Sequence, residues 1–156
     1  MSDATTSPRT MTEAEALAES LRIEADALAR LRDSVDSAAI LRAAEVLASA
    51  PRIITCASGS SGFAVAKFAH SLCCIERPAK FMPPAEAIHG GLGAVQPGDV
   101  VVMVSRGGGT TELLPIISVV RRKNATLVGL TENLSSTLAN PPDVLTPPQI
   151  TRESAP

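Results

Sequence analysis

Two short stretches hold the residues whose types and spacing could do chemistry. One is "TCASGSSG", residues 55–62, and the other is "SRGGGTT", residues 105–111. Each stands between a β-branched apolar run and a segment of helical spacing. Glycine lets a ligand approach the backbone closely. The first amides of the following helix lack internal partners and, with the helix dipole, favour an anion. The hydroxyls add further donors, so the natural guest is a phosphate. Glycine-rich turns also occur without ligands, but two in one sheet, each carrying serine or threonine, favour a site.

The elements that must position these turns follow from periodicity. Thr12 and Glu15 have the spacing of a capping box. Ala16, Leu17, Leu21, Ile23, Leu28 and Leu31 then predict a helix over 12–33, and Ile40, Leu41, Ala44 and Leu47 a second over 37–49, stopped by Pro51. From there the pattern alternates. "RIITCA", "AKFM", "DVVVMVS", "ATLVGLT" and "DVLTP" read as strands, the second one weak. "SGFAVAKFAHSLC", "TTELLPIISVVRRK" and the short "LSSTLA" read as helices. Alternation of this kind implies parallel pairing with helices on both faces, an α/β sandwich. Ligands of such sheets sit beyond the carboxyl ends of the strands, where both glycine turns fall. Residues 1–10 are polar and expected to be mobile, 11–50 helical, 51–146 the α/β core and 147–156 a tail. No helix follows the last strand, so an uncovered face is expected there, completed by a longer chain or a partner.

Composition narrows the function classes. The 156 residues suit one domain. With 14 basic and 16 acidic residues the net charge is −2, which offers nucleic acid no attracting field. Aromatics are 2%, all phenylalanine, too few to stack single-stranded bases. No apolar run approaches the ~20 residues of a membrane span, and the N-terminus does not read as a secretory signal. Cys56, Cys73 and Cys74 make a poor disulfide framework and lack metal-type spacing. They are expected as buried small hydrophobes, kept reduced in a cytoplasmic protein, with no metal or other cofactor.

Other phosphate-binding classes fit less well. "ASGSSG" has Ala57 where a dinucleotide fingerprint needs its first glycine, and no acid closes the second strand. No P-loop pattern occurs. "SGSSG" is not a nucleophile elbow, and nothing else marks a hydrolase triad.

The ordered set "ASGSSG", "PPAEAIHGGLG" and "DVVVMVSRGGGTTELL" resembles the sugar isomerase (SIS) domain family, and within it the arabinose-5-phosphate isomerase branch. The likeness runs from Ile53 to the end of the chain. The resemblance implies a three-layer αβα sandwich whose five-stranded parallel sheet has flavodoxin-like order, with N-terminal helices. It implies a sugar-phosphate ligand at the two turns and a homodimer or homotetramer that completes the pocket. Phosphate contacts map to Ser60 and Ser61, beside Gly59, and to Ser105 and Thr110, beside Gly108 and Thr111. Several positions depart from the family. Gly107 replaces a serine, Gly109 a glutamate, Ser60 the branch's lysine and Gly91 an aspartate, while a later histidine would lie beyond Pro156. Arg106 stands where asparagine or glutamine is common and could offset the missing serine by charge-assisted bonds.

Aldose–ketose isomerisation moves a proton between C1 and C2 and needs a base and oxyanion donors. The candidates are His89, Glu86 and Glu112. His89, which matches the family histidine, could instead be a loop histidine bonded to backbone. Glu86 could cap or pair locally, and Glu112 could complement a helix dipole in the first turn of its helix. His70 reads as a surface residue. Two functions therefore stand side by side: an isomerase of altered constellation, and a phosphosugar-binding sensor without turnover. A structural domain with a vestigial site is a weaker third.

Overall fold

The computed structural model describes residues 11–140 and 143–146; the expectations for residues 1–10 and 147–156 lie outside them. The described residues fall into two compact units, α1 in one and everything from Val35 onward in the other.

In the first unit, helix α1 (Glu13–Ser34) begins with the expected capping box. The Thr12 hydroxyl accepts from the Glu15 amide at 3.2 Å, and the Glu15 carboxylate accepts from the Thr12 amide at 2.8 Å. These bonds hold the Glu15 carboxyl below its ordinary range, the Thr12 amide contributing most.

The second unit is an α/β sandwich. Helix α2 (Ser37–Ser49) is capped by Asp36, whose carboxylate accepts from the Ala39 amide at 3.0 Å. Then come β1 (Ile53–Cys56), α3 (Gly59–Cys74), β2 (Ala79–Phe81), α4 (Pro84–Ile88), a 3-10 helix (Gly91–Ala94), β3 (Val100–Val104), α5 (Leu114–Arg122), β4 (Thr126–Leu130) and β5 (Val144–Thr146). All pairings are parallel and the strand order is β2-β1-β3-β4-β5, the flavodoxin-like order.

Alternation along the strands builds two cores. Ile54, Val101, Met103 and Leu127 pack with Ile116, Ile117 and Val120 of α5 on one face. Ile53, Val100, Val102 and Val128 pack with Ala43 of α2 and Leu72 of α3 on the other. Thr55, buried within β1, donates its hydroxyl to the Val65 carbonyl at 2.9 Å and so ties strand to helix. Below the sheet, the carboxylate of Asp99 takes both Arg52 Nε and Nη2 at 3.0 Å and the Gln96 amide at 2.8 Å, which fixes the starts of β1 and β3.

The uncovered face expected beside the last strand depends on residues 147–156, which lie outside the described residues. An apolar groove of about 630 Å³ is lined by α2, α3 and by Val104, Leu130 and Thr146 at the strand ends.

Two expected elements differ. "LSSTLA" forms turns instead of a helix: Asn133 Oδ1 accepts from the Ser135 amide at 3.0 Å and Ser136 Oγ from the Ala139 amide at 3.2 Å. Such side-chain acceptors compete with the helical ladder. Helix α5 begins at Leu114, with Pro115 in its first turn, so residues 110–113 precede it. Glu112 therefore does not sit in that helix's first turn, and the dipole role expected for it there does not apply.

Candidate functional site

Pairing of Cys56 with Met103 and of Val104 with Leu130 brings three strand exits side by side. The first turn needs glycine twice. Gly59 has φ +60°, and a Cβ on Gly62 would meet the Ala57 carbonyl oxygen at 2.9 Å. The helix can thus start directly at the strand end. Ser60 is exposed and Ser61 half-buried at its first turn.

In the second turn Ser105 is buried and Thr110 half-buried, and their hydroxyls lie 2.8 Å apart. The Gly108 amide donates to both the carbonyl and the hydroxyl of Ser105 at 3.1 Å. Gly108 has φ +63°, and a Cβ there would overlap Ser136 Oγ. Gly107 has nothing near its absent side chain and Gly109 only the Gly107 carbonyl, at 3.9 Å. The missing serine and glutamate leave open space.

A third turn, after β4, belongs to the arrangement, and the sequence reading did not include it. Thr131 Oγ1 donates to the Arg106 carbonyl at 3.0 Å, and the Glu132 amide donates to the same carbonyl at 3.1 Å. The Leu138 amide donates to the Gly108 carbonyl at 3.1 Å. The Arg106 guanidinium donates through Nε to Glu132 at 2.8 Å, so the arginine expected at the phosphate also has a partner within the protein.

The first and second turns meet at one bond: Ser58 Oγ donates to Glu112 Oε2 at 2.6 Å. Glu112 is thereby placed at both turns, and Ser58 is the residue the sequence reading missed. A contact between positions 54 apart has no periodic signal to betray it.

His89 caps the C-terminus of α4 and Glu86 lies in that helix's first turn; both are exposed. Neither makes a hydrogen bond to the glycine turns. Thr111 is exposed in the turn before α5. Gly91 sits against the Glu86 carbonyl oxygen, which a Cβ would meet at 2.7 Å, and against Met82 Sδ at 3.0 Å. The aspartate of the family pattern does not fit this backbone. His70 is exposed on α3, its Nε2 3.7 Å from Cys74 Sγ. Among the described residues no group of three or more His, Cys, Asp or Glu could hold a metal, and no helix is long and apolar enough to cross a membrane.

The SIS domain family model matches residues 46–153. The arabinose 5-phosphate isomerase KdsD of Pseudomonas aeruginosa is 33% identical, over 80% of this chain and 40% of that protein. KdsD of Escherichia coli K12 is 30% identical, over 88% of this chain and 42% of that protein. The chain spans about two fifths of the length of these curated relatives. A candidate sugar-phosphate isomerase of Listeria monocytogenes superposes with a TM-score of 0.88 at 36% identity, over 94% of this chain and 79% of that one. An Escherichia coli CFT073 protein solved with arabinose 5-phosphate gives 0.85 at 25% identity, over 92% and 78%. The Vibrio vulnificus NanR protein, solved with N-acetylmannosamine 6-phosphate, gives 0.79 at 19% identity over 92% and 54%, a likeness of fold alone. By its family match, its strand order and its strand-exit turns, this chain belongs to the SIS domain family.

Proposed function

We propose that this domain binds a sugar phosphate at the exits of β1 and β3 and interconverts an aldose phosphate with its ketose isomer, with arabinose 5-phosphate the first substrate to test. One observation carries the reading: the Ser58–Glu112 bond ties a carboxylate to the N-cap of α3, two residues along the chain from Thr110, whose hydroxyl meets that of Ser105. A phosphate held by the hydroxyls and by the amides around Ser60 and Ser61 would leave the reactive end of a short sugar near that carboxylate. Similarity to KdsD and to the protein solved with arabinose 5-phosphate supports the choice of substrate.

The step is an internal proton transfer. Glu112 takes the proton from C2, the C2–H electron pair becomes the C1=C2 bond, and the C1 carbonyl oxygen takes a proton from solvent to become the enediol hydroxyl. The carboxylic acid returns its proton to C1 while O2 gives up its proton to solvent, leaving the ketone at C2. Carbon oxidation states exchange within the sugar, so no cofactor is part of the proposal. His89 serves in it as the donor to the oxyanion, and Glu86 as an acceptor for the sugar hydroxyls, when the pocket is completed by a second copy in a homodimer or homotetramer.

A second reading, a phosphosugar sensor without turnover, is favoured by the empty space at Gly107 and Gly109, where the family pattern has a serine and a carboxylate. Solvent deuterium exchange into C2 of arabinose 5-phosphate, run beside a thermal shift with the same sugar, separates the two. Binding with exchange supports the isomerase, binding without exchange supports the sensor, and neither removes both.

A further inference from the structure

Ser58 is the N-cap of α3, with extended φ −99° and ψ 159°. A serine there ordinarily turns its hydroxyl oxygen onto the amides two or three positions on, here Ser60 and Ser61. Ser58 makes no such capping bond. Its hydroxyl crosses to the other turn and donates to Glu112 Oε2 at 2.6 Å. The cap is given up for the carboxylate, which leaves the first amides of α3 to other acceptors.

Glu112 has no helix to fix it, since α5 begins two residues later at Leu114. The turn bond from the Leu113 amide to the Thr110 carbonyl, 2.9 Å, holds its backbone but not its side chain. Of the two carboxylate oxygens, Ser58 engages Oε2. A charge-assisted bond of this length is the strong kind, and it constrains a side chain that is otherwise exposed.

We infer that Ser58 is the positioning residue of this site: its hydroxyl, diverted from helix capping, holds the Glu112 carboxylate at the reacting carbons while leaving the α3 amides to the phosphate. The inference rests on the isomerase reading above and adds to it a residue that acts only through Glu112. A base displaced by about an ångström loses up to about 100-fold in rate, whereas phosphate binding does not depend on it. The signature is therefore a loss in turnover with little loss in affinity.

The test compares the unaltered chain with Ser58→Ala, Ser58→Gly, Ser58→Thr and Glu112→Gln. Affinity for arabinose 5-phosphate is measured by calorimetry and deuterium incorporation at C2 as a rate at saturation. Glycine is tolerated at an N-cap, so Ser58→Gly removes the hydroxyl with little effect on the helix. Both hydroxyl-free variants are expected to bind within about threefold of the parent and to exchange roughly 10- to 100-fold more slowly. Ser58→Thr should restore exchange and Glu112→Gln abolish it. Parental exchange in Ser58→Ala and Ser58→Gly, or a matching fall in affinity and rate, overturns the positioning role alone. A parent that binds without exchange overturns it too but leaves sugar-phosphate binding standing. A parent that neither binds nor exchanges removes the proposed function itself.

Discussion

The hydroxyls of Ser105 and Thr110 stand 2.8 Å apart across the turn after β3, one donating to the other. A phosphate that entered the turn would take both as donors. Ser105→Ala and Thr110→Ala are each expected to weaken sugar-phosphate binding roughly 5- to 30-fold, about 1–2 kcal/mol. Ser105 is buried and also accepts from the Gly108 amide, so its removal should cost about 1 kcal/mol of stability. Thr110 is half-buried and should cost less. Calorimetry with arabinose 5-phosphate and urea unfolding separate the two effects; unchanged affinity in both variants would take these residues out of the site.

The glycines of this domain divide by what surrounds them. Gly109 has open space and an ordinary backbone, so Gly109→Glu should change stability by less than about 0.5 kcal/mol. It would return the carboxylate that the family pattern carries and is expected to raise, not lower, deuterium exchange. Gly91→Asp meets the Glu86 carbonyl and should destabilise by about 2 kcal/mol. Gly108→Ala combines a left-handed φ with overlap on Ser136 and should cost about 2–4 kcal/mol. Melting temperatures of the three variants test the order; equal losses would contradict the packing argument.

What could be read from the sequence tracks how local the cause is. Helix α2 is legible at 37–49 because Pro51 closes a clean periodic run; its Asp36 cap emerges from the structure. The buried strand Val100–Val104 announced itself by uninterrupted apolar content. The weak "AKFM" run still gave β2, since only one neighbour pairs with it. The α5 start was placed four residues early, because Thr110 to Leu113 carry helical spacing while the turn bond from Leu113 to Thr110 and Pro115 set the true boundary. At the site, hydroxyls and glycines were legible as residue types. Their partners were not, since Ser58 finds Glu112 and Gly108 finds Ser136 only after the sheet has aligned the exits.

The ion pair beneath the sheet should be among the costlier side chains to lose. Asp99 has a side-chain exposure of 1%, while its partner Arg52 is about half exposed at 51%. Removing the exposed partner leaves the buried carboxylate as an uncompensated charge with the Gln96 amide as its remaining donor. Arg52→Ala should therefore destabilise by about 3 kcal/mol. Asp99→Ala leaves a half-exposed guanidinium that water can solvate, so it should cost less. Denaturant midpoints that rank the two the other way would show that the bonds Asp99 makes to the strand starts outweigh the burial of its charge.

The three cysteines should separate by reactivity. Of the three expected to be buried, Cys56 is, in β1, but Cys73 and Cys74 are exposed near the end of α3, because the helix turns Leu72 and not these two into the core. Burial pushes the Cys56 thiol up from 9.0 to about 12, because the thiolate would lose its hydration. A thiol reagent is thus expected to label Cys73 and Cys74 in the folded protein and Cys56 only after unfolding. The same shift has a consequence for stability. Below pH 9.0 the thiol is protonated in both states and the folded form keeps its full advantage. As the pH rises from 9.0 towards 12 the unfolded chain ionises while Cys56 in the fold does not, so stability falls through that window. A Cys56→Ala variant, less stable at neutral pH by its cavity, should show a shallower alkaline decline in urea midpoint. Parallel declines in the two proteins would mean that other groups govern the alkaline limb.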